Sequence, residues 1–189
     1  MKEVFIDMKR CTACKSCEIA CAVSHSESKD LFSAIYETPS PQTRIQVEGA
    51  DSYSYPVRCM HCSDAACIMA CPNRAMSRDL ETGAVYVNEE KCMGCFMCAM
   101  VCPFGSISAN PIKKVALKCD FCIPRQKEGK QPACAEACPT DALLFGEESE
   151  IAKTKRSKTA KAMLDAISRE RKFKPELNPL ENLRKVGGH

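Results

Sequence analysis

CMGCFMCAMVCPFGSI occupies residues 92–107, and the spacing of its cysteines decides the fold. Cys92, Cys95, Cys98 and Cys102 follow the order C-x2-C-x2-C-x3-C, and Pro103 comes directly after the last. Three thiols this close share one tight loop and are expected to point at one centre. The fourth falls on a short helical turn, which Pro103 ends, and is expected to point away. That is the pattern of an iron–sulfur cubane whose fourth cysteine serves a second cluster.

The same spacing recurs 81 residues earlier at Cys11, Cys14, Cys17 and Cys21. The flanks repeat as well, VFIDMKRCTAC (4–14) reading against VYVNEEKCMGC (85–95). Two further groups are variants. Cys59, Cys62, Cys67 and Cys71 are spaced C-x2-C-x4-C-x3-C, and Cys119, Cys122, Cys134 and Cys138 are spaced C-x2-C-x11-C-x3-C. The insert in the last group, IPRQKEGKQPA (123–133), is polar and basic. It reads as a loop that covers its cluster, touches a partner or is simply solvated. Three groups end alike, in CPNRAM (71–76), CPFGSI (102–107) and CPTDAL (138–143), each a Cys-Pro corner leading into a strand. Cys21 departs from this, because Ala22 follows it and the chain can continue as helix. Sixteen cysteines complete four cubanes, so four [4Fe–4S] clusters are expected. Zinc sites take paired C-x2-C knuckles with long gaps, which only the fourth group approaches.

Composition narrows the function. The chain has 189 residues, 16 Cys and no Trp. Its first residues, MKEVFIDMKR, do not read as a signal peptide. A cytoplasmic metal protein is therefore expected rather than a disulfide scaffold. No run of 18 apolar residues predicts a membrane span, which leaves peripheral association through partners. The formal charge of +3 is not a nucleic-acid signal: each cluster with four thiolates carries about −2, so the loaded chain is acidic. There is no dinucleotide loop, P-loop or other catalytic constellation, so no enzymatic activity and no further cofactor are expected.

The predicted fold class is α+β: two ferredoxin-like modules of two clusters each, an insertion and a C-terminal helical or extended arm. Residues 1–146 form the four-cluster domain, with the insertion at about 22–58. Short strands are expected at 4–6 and 85–87, and the turn Glu81-Thr82-Gly83 predicts a hairpin of 75–78 with 84–87. Within the insertion a helix is expected near 31–36 and a strand at 44–47. Residues 147–189 hold 11 Lys and Arg against 7 Asp and Glu. Ile151, Ala160, Met163, Leu164 and Ile167 partly fit a helical stripe, which Pro175 and Pro179 would break. Leu177, Leu180 and Leu183 favour an arm that docks on a partner.

The pattern over residues 1–146 resembles the four-cluster ferredoxin-type electron-transfer subunits of anaerobic redox complexes. CEIACAVSHSESKDL (17–31), RCMHCSDAACIMACP (58–72), CMGCFMCAMVCPFGSI (92–107) and KCDFCIPRQKEGKQPACAEACP (118–139) most resemble the CooF-type subunit that partners carbon monoxide dehydrogenase. The resemblance implies electron relay from that enzyme to a hydrogenase or a flavin-dependent NAD(P) oxidoreductase. The alternatives are the equivalent subunit of a formate dehydrogenase or molybdopterin oxidoreductase, and a non-redox iron–sulfur scaffold. It also implies that group one pairs with group four and group two with group three. With the fourth cysteines exchanged, the implied sets are Cys11, Cys14, Cys17 and Cys138; Cys119, Cys122, Cys134 and Cys21; Cys59, Cys62, Cys67 and Cys102; and Cys92, Cys95, Cys98 and Cys71. Spacing alone is equally compatible with pairing neighbours, one with two and three with four.

Other residues read more plainly. His25, His61 and His189 are not needed as ligands, and His61 is expected to point outward from its loop. Lys91 and Lys118 directly precede cluster cysteines and read as exposed lysines or as charges that tune a cluster. Met60, Met69, Met93, Met97 and Met100 read as soft packing that excludes water.

Overall fold

A computed structural model describes residues 2–173. Its contacts divide the chain into two units, Met1–Glu147 and Glu148–His189.

The first unit is built on eight short strands: β1 (Lys2–Ile6), β2 (Ile45–Ala50), β3 (Tyr53–Arg58), β4 (Met76–Arg78), β5 (Val85–Val87), β6 (Ile107–Ala109), β7 (Ala116–Lys118) and β8 (Leu143–Glu147). Among the described residues they pair only in twos, all antiparallel: β1 with β8, β2 with β3, β4 with β5 and β6 with β7. Each cysteine group stands between two strands. The strand leaving one group pairs with the strand entering the next, and β8, after the fourth group, closes on β1, before the first. Lys2 thereby lies opposite Glu147. The ladder thus forms a cycle of four repeats.

Short helices carry cysteines within the groups: α1 (Ser16–Ser24), α3 (Ala66–Met69), α4 (Met97–Met100) and α6 (Ala133–Glu136). α1 runs through Cys21, as the absence of proline after that residue allows. The insertion contributes α2 (Leu31–Ile35), whose first turn is capped by Asp30 accepting from the Ser33 N–H at 2.9 Å. The insert of group four is not a bare loop. It holds α5 (Ile123–Lys127), opened by Pro124, and is tied back where Arg125 meets Glu136 and donates to the Gln131 carbonyl.

The apolar core is thin and made in two parts. One gathers Val4, Ile45, Phe121 and Leu143 with Cys17, Cys21, Cys134 and Cys138. The other gathers Met76, Ile107 and Ala116 with Cys67, Cys71, Cys92, Cys98 and Cys102. A lysine, Lys118, is among the largest fully buried side chains, so little aliphatic volume is left to stabilise the fold by itself.

The second unit contains α7 (Glu148–Phe173). Met163, Leu164 and Ile167 on it are exposed. Pro175, Pro179, Leu177, Leu180, Leu183 and His189 lie outside the described residues. Among the described residues no helix is long and apolar enough to cross a membrane.

Candidate metal centres

Each C-x2-C loop curls because the residue before its second cysteine is left-handed. Ala13 has φ 55°, His61 49°, Gly94 71° and Phe121 60°. Only one of the four is glycine, and a left-handed non-glycine residue costs about 1–2 kcal/mol, so the recurrence marks a functional constraint. At Gly94 a Cβ would run into the carbonyl oxygen of Lys114. A second left-handed residue recurs three positions after the last cysteine at Arg74, Gly105 and Asp141, the three Cys-Pro corners.

These turns aim backbone N–H groups at sulfur. The His61 and Phe121 amides donate to Cys59 and Cys119 Sγ, each at 3.4 Å. Ala75 N–H donates to Cys71 Sγ at 3.2 Å, Ala116 N–H to Cys92 Sγ at 3.4 Å and Arg44 N–H to Cys21 Sγ at 3.2 Å. In Cys21 the donor comes from the insertion instead of a Cys-Pro corner. Donors placed at sulfur favour the thiolate, the form that binds iron, and they tune a bound cluster. All sixteen cysteines are unbridged. This donor set fits iron–sulfur clusters.

The structure brings together cysteines from different groups. Cys11, Cys14 and Cys17 line one cavity with Cys138, closed by Val47, Pro56 and Leu143. Cys92, Cys95 and Cys98 line another with Cys71, against Met76 and Val87. Burial pushes the Cys134 thiol well up, and the nearby sulfurs of Cys119, Cys122 and Cys21 add to it. Burial also raises Cys67, with Cys59 and Cys102 adding to the effect. Burial takes Cys119 to about 12, and Cys17 and Cys122 to about 11. Iron binding must therefore displace protons from these sites, which links loading to pH.

Several side chains depart from their sequence reading. His61 points inward, not outward: its Nδ1 accepts from the Val85 N–H at 3.0 Å and its ring lies 4.8 Å from that of Phe121. Burial, then the charges of Lys118 and Arg58, push its pKa down to about 2. Lys118 is buried, because its strand ends inside the core, while Lys91 is exposed. The five methionines are 41–83% exposed rather than packed inside, although Met93 still lines the cavity of Cys71, Cys92, Cys95 and Cys98. His25 is held by its neighbours, Nδ1 against the Cys21 carbonyl at 2.7 Å and Nε2 against Asp120 at 3.1 Å. Its ligating atom lies within 4.8 Å of those of Asp120 and Cys122, but Asp120 is already engaged by His25 and by Arg44 at 2.9 Å.

The sequence of residues 50–148 matches the model of the 4Fe-4S dicluster domain. That span contains the second, third and fourth cysteine groups. The chain is 41% identical over 156 residues to the probable anaerobic dimethyl sulfoxide reductase chain YnfG of Escherichia coli, covering 78% of this chain and 74% of that one. It is 40% identical over 152 residues to an iron–sulfur protein of Rhodospirillum rubrum, covering 74% and 79%. It is 37% identical over 175 residues to the electron transport protein HydN of Escherichia coli, covering 83% and 96%. With its cysteines grouped and cradled in this way, the chain binds [4Fe–4S] clusters and belongs to the 4Fe-4S dicluster family.

Proposed function

We propose that this chain is the electron-transfer subunit of an oxidoreductase complex, relaying electrons between a catalytic subunit of the molybdopterin type and a second redox partner. When bound, the clusters supply one-electron redox chemistry. The protein's own residues hold them, keep water from the inner sulfurs and set their electrostatic surroundings. The catalytic partner is taken as a molybdopterin oxidoreductase, instead of the carbon monoxide dehydrogenase expected from the sequence. The similarity to a dimethyl sulfoxide reductase chain supports this.

The observation that carries the reading is the grouping of cysteines by core. The first core holds members of groups one and four, the second members of groups two and three. We assign the ligands accordingly. One pair of clusters takes Cys11, Cys14, Cys17 and Cys138, and Cys119, Cys122, Cys134 and Cys21. The other takes Cys59, Cys62, Cys67 and Cys102, and Cys92, Cys95, Cys98 and Cys71. Residues 1–146 act as the four-cluster body and 147–189 as a basic docking arm.

Anaerobic affinity purification of the tagged chain from its native host tests the partner. A co-purifying subunit that contains molybdenum supports the proposal. A nickel-containing subunit with carbon monoxide oxidation would restore the other partner. A chain whose clusters cannot be reduced reversibly would be a scaffold.

A further inference from the structure

A basic residue stands directly before the first cysteine of every group: Arg10, Arg58, Lys91 and Lys118. The fold treats the four differently. Arg10 is partly exposed and pairs with Asp141 at 3.2 Å, and Lys91 is exposed. Arg58, which ends β3, is only 5% exposed, and Lys118, which ends β7, only 2%. Among the described residues no carboxylate forms an ion pair with either buried cation. Carbonyl oxygens hold them instead. Arg58 donates to the Cys59 carbonyl at 2.8 Å and the Val4 carbonyl at 2.6 Å. Lys118 donates to the Cys119 carbonyl at 2.8 Å and to that of Val85.

Both cations bind the loops through which groups two and four face each other. His61 and Phe121, the left-handed residues of those loops, are in ring contact at 4.8 Å, and the Arg58 guanidinium lies 5.9 Å from the Phe121 ring. Each cation also reaches across the junction: Lys118, which precedes group four, donates to the carbonyl of Val85, whose N–H donates to His61 in the group-two loop, and Arg58, which precedes group two, lies against the Phe121 ring of the group-four loop. Buried charge is tolerated where opposite charge lies near, and a cluster with four thiolates is an anion.

Resting on the ligand sets proposed above, we propose that Arg58 and Lys118 raise the reduction potentials of the two clusters at this junction, those of Cys59, Cys62, Cys67 and Cys102 and of Cys119, Cys122, Cys134 and Cys21. Reduction adds one electron, and so one negative charge, to a centre ringed by buried and half-buried cysteines; a fixed cation that is itself shielded from water favours that state. Arg10, half-buried and neutralised by Asp141, and Lys91, exposed to water and salt, do little for the two remaining clusters. The junction is then where electrons settle as they pass between the two cluster pairs.

The test uses the full chain loaded with clusters anaerobically. Potentials are read by EPR during titration with dithionite, which supplies the electrons. Lys118→Met is expected to keep full iron content and to make reduction of one cluster at least tenfold less favourable, about 59 mV for one electron. Lys91→Met, at the equivalent exposed position, is expected to leave all four potentials in place. A fully loaded Lys118→Met protein with unchanged potentials overturns the proposal, and so does an equal shift in Lys91→Met. If Lys118→Met loads incompletely, Lys118→Arg decides. Full loading with every potential kept within a tenfold range supports a role for charge, and a larger shift or a lost cluster assigns the position to packing and overturns it. Wild-type protein with no reversible reduction at all would overturn the electron-transfer reading itself, and this proposal with it.

Discussion

His25 Nε2 lies 3.1 Å from a carboxylate oxygen of Asp120, and the contact spans 95 residues of sequence. It joins the end of α1 to the loop between Cys119 and Cys122. Arg44, at the entry to β2, takes the other oxygen at 2.9 Å. The first group, the insertion and the fourth group are therefore fastened at one carboxylate.

Burial would lower the pKa of His25, but its contacts with the Asp120 carboxylate and the Cys21 sulfur, 3.8 Å from Nδ1, outweigh it and raise the pKa from 6.5 to about 9. The stability this contributes is fully present below about pH 6.5 and is lost as pH rises through about 9. Burial would raise Asp120, but His25 and Arg44 hold it below the usual carboxylate range. Its contribution is present above about pH 4 and fades as pH falls. His25→Gln should cost about 2 kcal/mol at pH 6 and little at pH 10. Denaturant unfolding of the loaded protein at the two pH values measures the difference.

Four complete cysteine sets should bind about sixteen iron and sixteen sulfide per chain, measured chemically on anaerobic preparations. Cys138→Ser and Cys11→Ser should perturb the same EPR signal, and Cys122→Ser a different one. Shared perturbation of one cluster by Cys138→Ser and Cys122→Ser would refute the exchange of fourth cysteines.

Gly94→Ala should damage its cluster. The alanine must adopt φ 71° and place a methyl against the Lys114 carbonyl. The conformational cost alone is about 1–2 kcal/mol, with the clash added. Ala13→Gly, at the matching turn of group one, should be tolerated. Rates of cluster loss in the presence of a chelator compare the two.

His61→Leu should destabilise by about 1–3 kcal/mol, since the buried Val85 N–H loses its acceptor. The histidine is neutral when folded, with its pKa pushed down to about 2. Its contribution is whole above about pH 6.5 and falls as acid protonates the unfolded chain. The variant should therefore lose less stability with acid than wild type, as seen in unfolding curves at pH 5 and pH 8.

A chain ending at Glu147 should keep its iron and bind its partner more weakly. No cysteine lies beyond Cys138, and α7 is exposed along most of its described length. Partner affinity at two salt concentrations and iron content are both needed. Full iron with unchanged affinity removes the docking role.

Much of the site is legible in the sequence because iron–sulfur ligation is written in local spacing. The turn Glu81-Thr82-Gly83 likewise announces the hairpin of β4 and β5. What stayed hidden depends on neighbours distant in sequence. Nothing local marks Ala13 or Phe121 as left-handed; the curl of the loop imposes it. Lys118 reads as a surface lysine until β7 is seen to end inside the core. Pro56 argues against a strand by its missing N–H, yet it lies in β3 opposite Val47. Arg10 and Arg58 complete a row of four basic residues whose contrast appears only once burial is known.

The pairing of Lys2 with Glu147 sets an order for biosynthesis. Groups two and three lie within residues 59–102, so on the assigned sets their cysteines leave the ribosome together and can receive clusters during translation. The pair built from groups one and four must wait until Cys138 has emerged and β8 has found β1. On those sets Cys11, Cys14, Cys17 and Cys21, synthesised before the other cysteines, are filled after groups two and three. On the assigned sets they are the thiols that stay free longest.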